Sequence, residues 1–127
     1  MTGPARTGVL IYAKHLDTVS RFYSQVLDMN CLHADADRHI LHSGDVQLII
    51  HAIPPHIADS IEIAVPQQPR EEQAIKPFFT VESLAKAERI AAESGGLPIG
   101  PIWAGPGFRA RNLCDPEGNI VHLREFT

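Results

Sequence analysis

The chain has 127 residues, a length typical of a single domain. Its composition, 44% hydrophobic and 20% charged, is that of an ordinary globular protein that can bury its own core. The 11 Lys and Arg residues and 15 Asp and Glu residues give a formal net charge of −4, and there is no basic run, so the sequence argues against a dedicated nucleic-acid-binding protein.

The first half of the chain begins with a predicted strand and a predicted helix. Residues 9–13 form a short run rich in β-forming residues. Apolar residues then recur at spacings of three and four, which predicts an amphipathic helix. Asp17 or Thr18 is predicted to cap the start of this helix, and residues 28–30 end it. The apolar stripe consists of Leu16, Val19, Phe22, Tyr23, Val26 and Leu27.

Three further strand candidates and a linker complete this half. The strand candidates lie at about residues 31–36, 39–42 and 46–53, with turn-forming residues between them. Residues 54–73 contain four prolines and are interpreted as a linker. Within the linker, the apolar stretch 61–65 is a candidate for an added edge strand.

The second half follows the same order. Residues 77–81 form an apolar strand candidate, and Ser83 is predicted to be the N-cap of a second helix, which Gly95 and Gly96 end with a left-handed stop. Residues 115–118 (Asp-Pro-Glu-Gly) predict a tight turn, because Pro fixes φ and Gly readily adopts a positive φ. The helix stripe consists of Leu84, Ala87, Ile90 and Ala91, and the later strand candidates lie at about 97–99, 108–114 and 119–126.

The two halves are related to each other by a repeat. Three pairs of positions share one constant offset along the chain: Ile11 and Phe79, Ala13 and Val81, and Leu16 and Leu84. A repeat this long is not a solenoid period. It indicates a duplicated module of the order strand–helix–strand–strand–strand.

The cysteines and the length of the longest apolar stretches indicate the cellular compartment of the protein. Cys31 and Cys114 belong to no CxxC pair and make no disulfide framework, which suits a reducing compartment. No stretch reaches about 18 consecutive apolar residues, so we expect no membrane span. Residues 1–6 lack the apolar stretch of a signal peptide, and we expect a cytoplasmic protein.

This organisation resembles the vicinal oxygen chelate superfamily, also called the glyoxalase/bleomycin-resistance/dioxygenase superfamily. The resemblance covers about residues 8–126. It implies an α+β fold in which two βαβββ modules, residues 8–53 and 74–126, form an incomplete barrel around a cavity. The motifs that carry it are Leu16-Asp17 with Phe22-Tyr23 and Leu27, then Phe79-Thr80-Val81-Glu82-Ser83-Leu84, and the sequence Asp115-Pro116-Glu117-Gly118-Asn119.

The resemblance also implies where metal enzymes of the superfamily hold their ion. Such enzymes place a His, Glu or Gln ligand on the first and on the last strand of each module. The matching places here are Gly8, Leu48 or Ile49, Lys76 and His122, of which only His122 is a ligand type. We therefore expect no metal or other cofactor. A divalent metal stays an alternative, because shifting strand 46–53 by two residues would bring His51 to the site.

Strand alternation predicts a different pocket around His122. If His122 points into the cavity, Ile120 and Arg124 do so too, because side chains alternate along a strand. Lys76, Phe78 and Thr80 are expected to line the cavity from the second module, and Leu10 and Tyr12 from the first. Unpaired cations are costly to bury, so this pocket favours an anionic or oxyanion-bearing ligand. Alternatively, Lys76 and Arg124 reach solvent at the strand ends.

Three side chains outside the predicted cavity strands are further candidates. Trp103 is expected in a loop, where it either covers the cavity and stacks on a ligand or plugs one end of the barrel. Arg109 and Arg111 either assist anion binding or belong to a solvated strand face.

Three functions are consistent with the sequence. The first is a metal-independent small-molecule-binding protein, which the resemblance implies is a homodimer, with Tyr12, Lys76, Phe78, Trp103, His122 and Arg124 in the site. The second is a lyase, isomerase or dioxygenase of glyoxalase type, in which His122 is the catalytic base or a metal ligand. The third is an interaction module whose cavity is filled.

Overall fold

A computed structural model describes residues 5–127 of the chain. The first four residues, which belong to the segment interpreted above as lacking signal-peptide character, lie outside the described residues. The elements in chain order are β1 (Thr7–Ala13), α1 (Leu16–Val26), β2 (Asn30–Ala34), β3 (Arg38–Ser43), β4 (Val46–Ala52), α2 (Pro55–Ala58), β5 (Phe78–Thr80), α3 (Leu84–Glu93), β6 (Leu97–Gly105), β7 (Phe108–Cys114) and β8 (Ile120–Phe126).

The strands form two four-stranded sheets of matching topology. One sheet has the order β1-β4-β3-β2 and the other the order β5-β8-β7-β6. In each sheet the first strand pairs in parallel with the last, and the other neighbours are antiparallel. The α+β fold with two βαβββ modules is therefore confirmed. We call the half with α1 module one and the half with α3 module two.

The core lies between the sheets and the two longer helices. Helix α1 packs on β3, β4 and α3, while α3 also packs on β6, β7 and β8. Apolar side chains at alternate strand positions point toward these helices and are buried. The fully buried residues of this core include Val19, Phe22, Tyr23, Leu48, Ile50, Leu113, Val121 and Leu123. The opposite face of each sheet, called the open face below, carries the remaining strand side chains.

The start of α1 differs from the sequence prediction. Neither Asp17 nor Thr18 caps the helix; its N-cap residue is His15, without a side-chain cap. The carboxylate of Glu117 in module two accepts hydrogen bonds from the backbone N–H groups of Lys14 and His15, at 2.8 and 2.7 Å. The predicted cap is wrong because a side chain distant in sequence satisfies backbone donors at the start of the helix.

The boundaries of α3 and of the last turn agree with their predicted signals. The Ser83 hydroxyl accepts a hydrogen bond from the Lys86 N–H at 3.2 Å and caps α3. Gly95 follows the helix at φ 90°, and Gly118 closes the last turn at φ 89°. Within the described residues, no helix is long and apolar enough to cross a membrane.

Asp115 connects the last turn of module two with α1 of module one. Its side chain is fully buried and accepts four hydrogen bonds. One oxygen accepts from the backbone N–H groups of Glu117 at 2.8 Å and Asn119 at 3.0 Å. The other accepts from the Tyr23 hydroxyl and from Asn119 Nδ2, both at 2.8 Å. Burial raises the pKa of Asp115, and these donors offset part of that rise.

The linker crosses the surface of module two next to the same turn. Its stretch 61–65 forms no strand, so that part of the prediction is wrong. The Gln73 side chain instead donates to the Ile120 carbonyl at 2.7 Å and accepts from the Ile120 N–H at 2.9 Å. Arg70 donates its backbone N–H to the Gly118 carbonyl at 2.8 Å. The linker is therefore bound to the turn and to the first residue of β8.

Replacing Tyr23 by Phe tests the connection between the modules. The change removes one donor to the buried Asp115 carboxylate, so we expect the free energy of unfolding to fall by about 1–3 kcal/mol. Tyr12→Phe is the matched control, because Tyr12 is 54% exposed. It is expected to change the stability by less than about 0.5 kcal/mol. Urea denaturation followed by circular dichroism measures both; equal effects of the two variants would contradict the assigned role of Tyr23.

Candidate functional site

The last strand positions two polar side chains on the open face of module two. Val121 and Leu123 point toward the helices and are buried, so His122 and Arg124 point the other way. Phe78 lies opposite His122 in the parallel pair of β5 and β8. The structure thus brings together three residues that the sequence assigned to the cavity.

Arg124 lies between two aromatic rings. The guanidinium carbon is 4.1 Å from the ring centre of Phe78 and 4.2 Å from that of Phe108. This arrangement suits arginine, because aromatic faces attract a planar cation and leave its edge free to donate hydrogen bonds. Its Nε is buried without a hydrogen-bond partner. None of the ion pairs within residues 5–127 involves Arg124.

His122 is next to Arg124 on the open face and is surrounded by aromatic side chains. Its ring centre is 4.8 Å from that of Trp103, edge to face, and 6.4 Å from that of Phe78. The Nε2 atom is buried and has no hydrogen-bond partner. Burial, followed by the positive charge of Arg124, lowers the pKa of His122 from its ordinary value. A neutral imidazole is therefore favoured in the folded protein near neutral pH.

Trp103 reaches this site from a strand, not from the predicted loop. It belongs to β6, the edge strand of its sheet, opposite Ala110 of β7. The register between β6 and β7 shifts between Ile99 and Trp103. Pro101 lies within this interval, as is typical of prolines in edge strands and at bulges. The prediction of a loop was wrong because the pairing resumes beyond the irregularity. Trp103 is held by the sheet and remains 38% exposed.

Two residues of the site were missed in the sequence. Phe108 supplies the second ring at Arg124, and Asn112 lies directly opposite His122 with its Oδ1 buried and unpartnered. The turn at residues 115–118 is the sequence feature from which both residues could have been predicted. A tight turn determines the register of the hairpin, and that register pairs Asn112 with His122 and places Phe108 diagonally across from Arg124.

Two other predicted residues of the cavity lie away from this cluster. Lys76 is exposed and precedes β5, so it is not on the strand to which the sequence assigned it. The strand is shorter than expected and begins at Phe78. Tyr12 lies on the open face of module one, where its ring centre is 5.4 Å from that of His51.

The two arginines of β7 belong to the other face of the sheet. Arg109 forms an ion pair with Glu125, and Arg111 forms one with Glu88 of α3, at 3.2 Å. Both side chains are satisfied by carboxylates. They are therefore not part of the cluster around Arg124.

The four places of a superfamily metal site are occupied by residues that do not fit an ion. Leu10 pairs with Ile49 in module one as Phe78 pairs with His122 in module two, which makes Ile49 the counterpart of His122. The set is therefore Gly8, Ile49, Lys76 and His122, with one donor able to coordinate. His51 lies beside Tyr12, two residues further along β4. Within residues 5–127, no three His, Cys, Asp or Glu side chains are grouped in a way that could hold a metal ion.

Solved structures with the same architecture include glyoxalase/bleomycin resistance proteins. One from Albidiferax ferrireducens has a TM-score of 0.69 at 16% identity, over 94% of this chain and 97% of that one. A glyoxalase/bleomycin resistance protein/dioxygenase family enzyme from Burkholderia phytofirmans has a TM-score of 0.71 at 18% identity, over 94% and 97%. A fosfomycin resistance protein from Mesorhizobium loti has a TM-score of 0.63 at 13% identity, over 100% and 94%.

These comparisons confirm the fold that the resemblance implied. The chain has a glyoxalase/bleomycin-resistance-like fold along almost its whole length. No protein-family model matches the sequence. No curated protein matches it significantly. At this level of identity the likeness concerns the fold, so function has to be argued from the side chains of the site.

The titration of His122 tests the geometry of the site. Nuclear magnetic resonance is expected to give His122 a pKa below the ordinary value of about 6.5. Arg124→Gln removes a positive charge next to the imidazole and is expected to raise this pKa. It stays below the ordinary value, since burial is the larger cause. Arg109→Gln is the control, because Arg109 is paired with Glu125 on the other face. A shift of equal size in both variants would contradict the assigned neighbours.

Proposed function

We propose that this protein binds a small anionic molecule on the open face of module two. The observation that supports the proposal is the environment of Arg124. Its guanidinium is held between two aromatic rings, its Nε is buried without a partner, and no carboxylate of the described residues pairs with it. An unpaired cation in such a place costs free energy, and a bound oxyanion relieves that cost.

The neighbouring side chains suit the rest of such a ligand. His122 offers Nε2 as a second polar contact, and Asn112 Oδ1 is a third polar atom without a partner. The rings of Phe78 and Trp103 provide apolar walls on either side of the imidazole. A few polar groups converging between aromatic walls are the usual composition of a small-molecule site.

We propose further that this binding needs no metal. Arg124 supplies the electrostatic attraction, and three of the four places of a metal site hold side chains that cannot coordinate. Metal removal is therefore expected to leave the affinity for an anion unchanged.

Binding of phenylacetate tests the proposal, with phenylacetamide as the uncharged analogue. Isothermal titration calorimetry is expected to detect phenylacetate and to find much weaker binding of the amide. Arg124→Gln removes the charge and is expected to weaken phenylacetate binding roughly 10- to 100-fold. Affinity is expected to rise as pH falls from about 7.5 to 5.5, because a bound anion raises the pKa of His122 and favours its protonated form.

Controls separate the site from general charge effects. Arg109→Gln removes an arginine of the neighbouring strand whose charge is already paired, and is expected to leave phenylacetate binding unchanged. Dialysis against EDTA is expected to have no effect on it. Equal binding of the acid and the amide, or no loss in Arg124→Gln, would contradict the proposal. Light scattering on the same samples tests the homodimer that the resemblance implies.

A proton-transfer activity is the second candidate, and the state of His122 favours it. A neutral imidazole can take a proton from a carbon beside a carbonyl, and the C–H electron pair then forms an enolate. The enolate oxygen would carry negative charge, which Arg124 next to His122 can stabilise. Return of a proton from the imidazolium to the carbon restores both the ligand and the base.

Hydrogen–deuterium exchange at the methylene carbon of phenylpyruvate tests this activity. If His122 is a base, the protein accelerates the exchange over buffer, His122→Gln abolishes the acceleration, and Arg109→Gln retains it. Nuclear magnetic resonance in deuterated water measures the rates. If phenylpyruvate binds but its hydrogen–deuterium exchange is not accelerated, the proposed binding function is supported and the catalytic function is contradicted.

A further inference from the structure

The seam between the two sheets contains a cavity. β1 and β5 are both edge strands, and each is hydrogen-bonded to a neighbouring strand on one side only. A cavity of about 540 Å³ is lined by residues of both strands, among them Val9 of β1 and Phe79 of β5. It therefore lies where the edge of module one meets the edge of module two.

The wall of this seam cavity is apolar. Val9, Val46, Leu27 and Phe79 pack against the core, and Met29 belongs to the core itself. The polar residues of the described wall are Ser43 and two threonines, and it includes no charged side chain. Because this wall supplies no charge partner, the cavity is suited to a hydrocarbon and not to a charged group.

Phe78 connects the seam cavity with the anion site. The residue lines the cavity, and its ring also lies 4.1 Å from the guanidinium carbon of Arg124. The same ring is 6.4 Å from that of His122. Phe78 is therefore shared by the wall of the seam cavity and the anion site.

We propose that the ligand is an amphipathic anion, with an oxyanion head at Arg124 and His122 and an unbranched hydrocarbon tail in the seam cavity. The inference rests on the proposed function, because the head occupies the same site. If a methylene takes about the 30 Å³ of a water molecule, an octyl chain fits within the cavity volume. Each methylene removed from water is expected to raise the affinity roughly three- to fourfold.

A series of straight-chain carboxylates tests the tail. Calorimetric titration with butanoate, hexanoate and octanoate is expected to show rising affinity, on the order of 100-fold between the first and the last. Heptylammonium has the same hydrocarbon tail as octanoate with a cationic head and is expected not to bind. Octanoate is also expected to lose affinity in Arg124→Gln, because head and tail belong to one ligand.

Two variants locate the tail in the seam. Val46→Phe fills the cavity from inside and is expected to weaken octanoate binding at least tenfold while leaving phenylacetate binding unchanged. Thr7→Trp fills it from the exposed start of β1, with the same expected result, and stays informative if Val46→Phe does not fold.

The outcomes separate the two proposals. If phenylacetate binds but the affinity of the straight-chain carboxylates does not depend on their length, the proposal of a tail site is overturned and the proposal of an anion site is supported. A chain-length dependence that persists in both filled variants would place the tail elsewhere and overturn the seam as its site. Failure of every carboxylate to bind would overturn the anion site and the tail together.

Discussion

The buried carboxylate of Asp115 is the interaction on which the arrangement of the two modules depends. It lies in the last turn of module two and accepts the Tyr23 hydroxyl of module one, together with three donors of its own turn. A charge this deeply buried is stable only when it is fully hydrogen-bonded. The contact therefore requires both modules to be in place, and Glu117 adds a second link by accepting the N–H groups before α1.

The position of the proposed binding site depends on this turn. β8 begins immediately after it, and the Gln73 side chain holds both backbone groups of Ile120, the first residue of the strand. Strand alternation then carries His122 and Arg124 to the open face. A change in the turn would shift the register of β7 and β8 and separate Arg124 from Phe108. The linker, the turn and the site thus form one connected unit.

The electrostatics of the site follow from the surroundings of Arg124. Arg109 and Arg111, on the neighbouring strand, are neutralised by carboxylates. Arg124 has aromatic rings in place of carboxylates. Burial lowers the pKa of the neighbouring His122, and the charge of Arg124 lowers it further. The anion proposed as the ligand would complete this arrangement.

The sequence by itself determined the duplicated module, the helix stripes, the Ser83 cap and the last turn, because each depends on local periodicity or backbone preference. The sequence also determined that His122 and Arg124 lie on the same face of β8, because side chains alternate along a strand. Tertiary structure decided the rest. Glu117 accepts hydrogen bonds from the backbone N–H groups just before α1. Trp103 lies on β6 because the pairing with β7 resumes after an irregularity. Phe108 contacts Arg124 from the other strand of a hairpin. The seam cavity likewise exists only where two edge strands meet. These features join residues far apart in the chain, and cross-strand register and packing between modules leave no local pattern in the sequence.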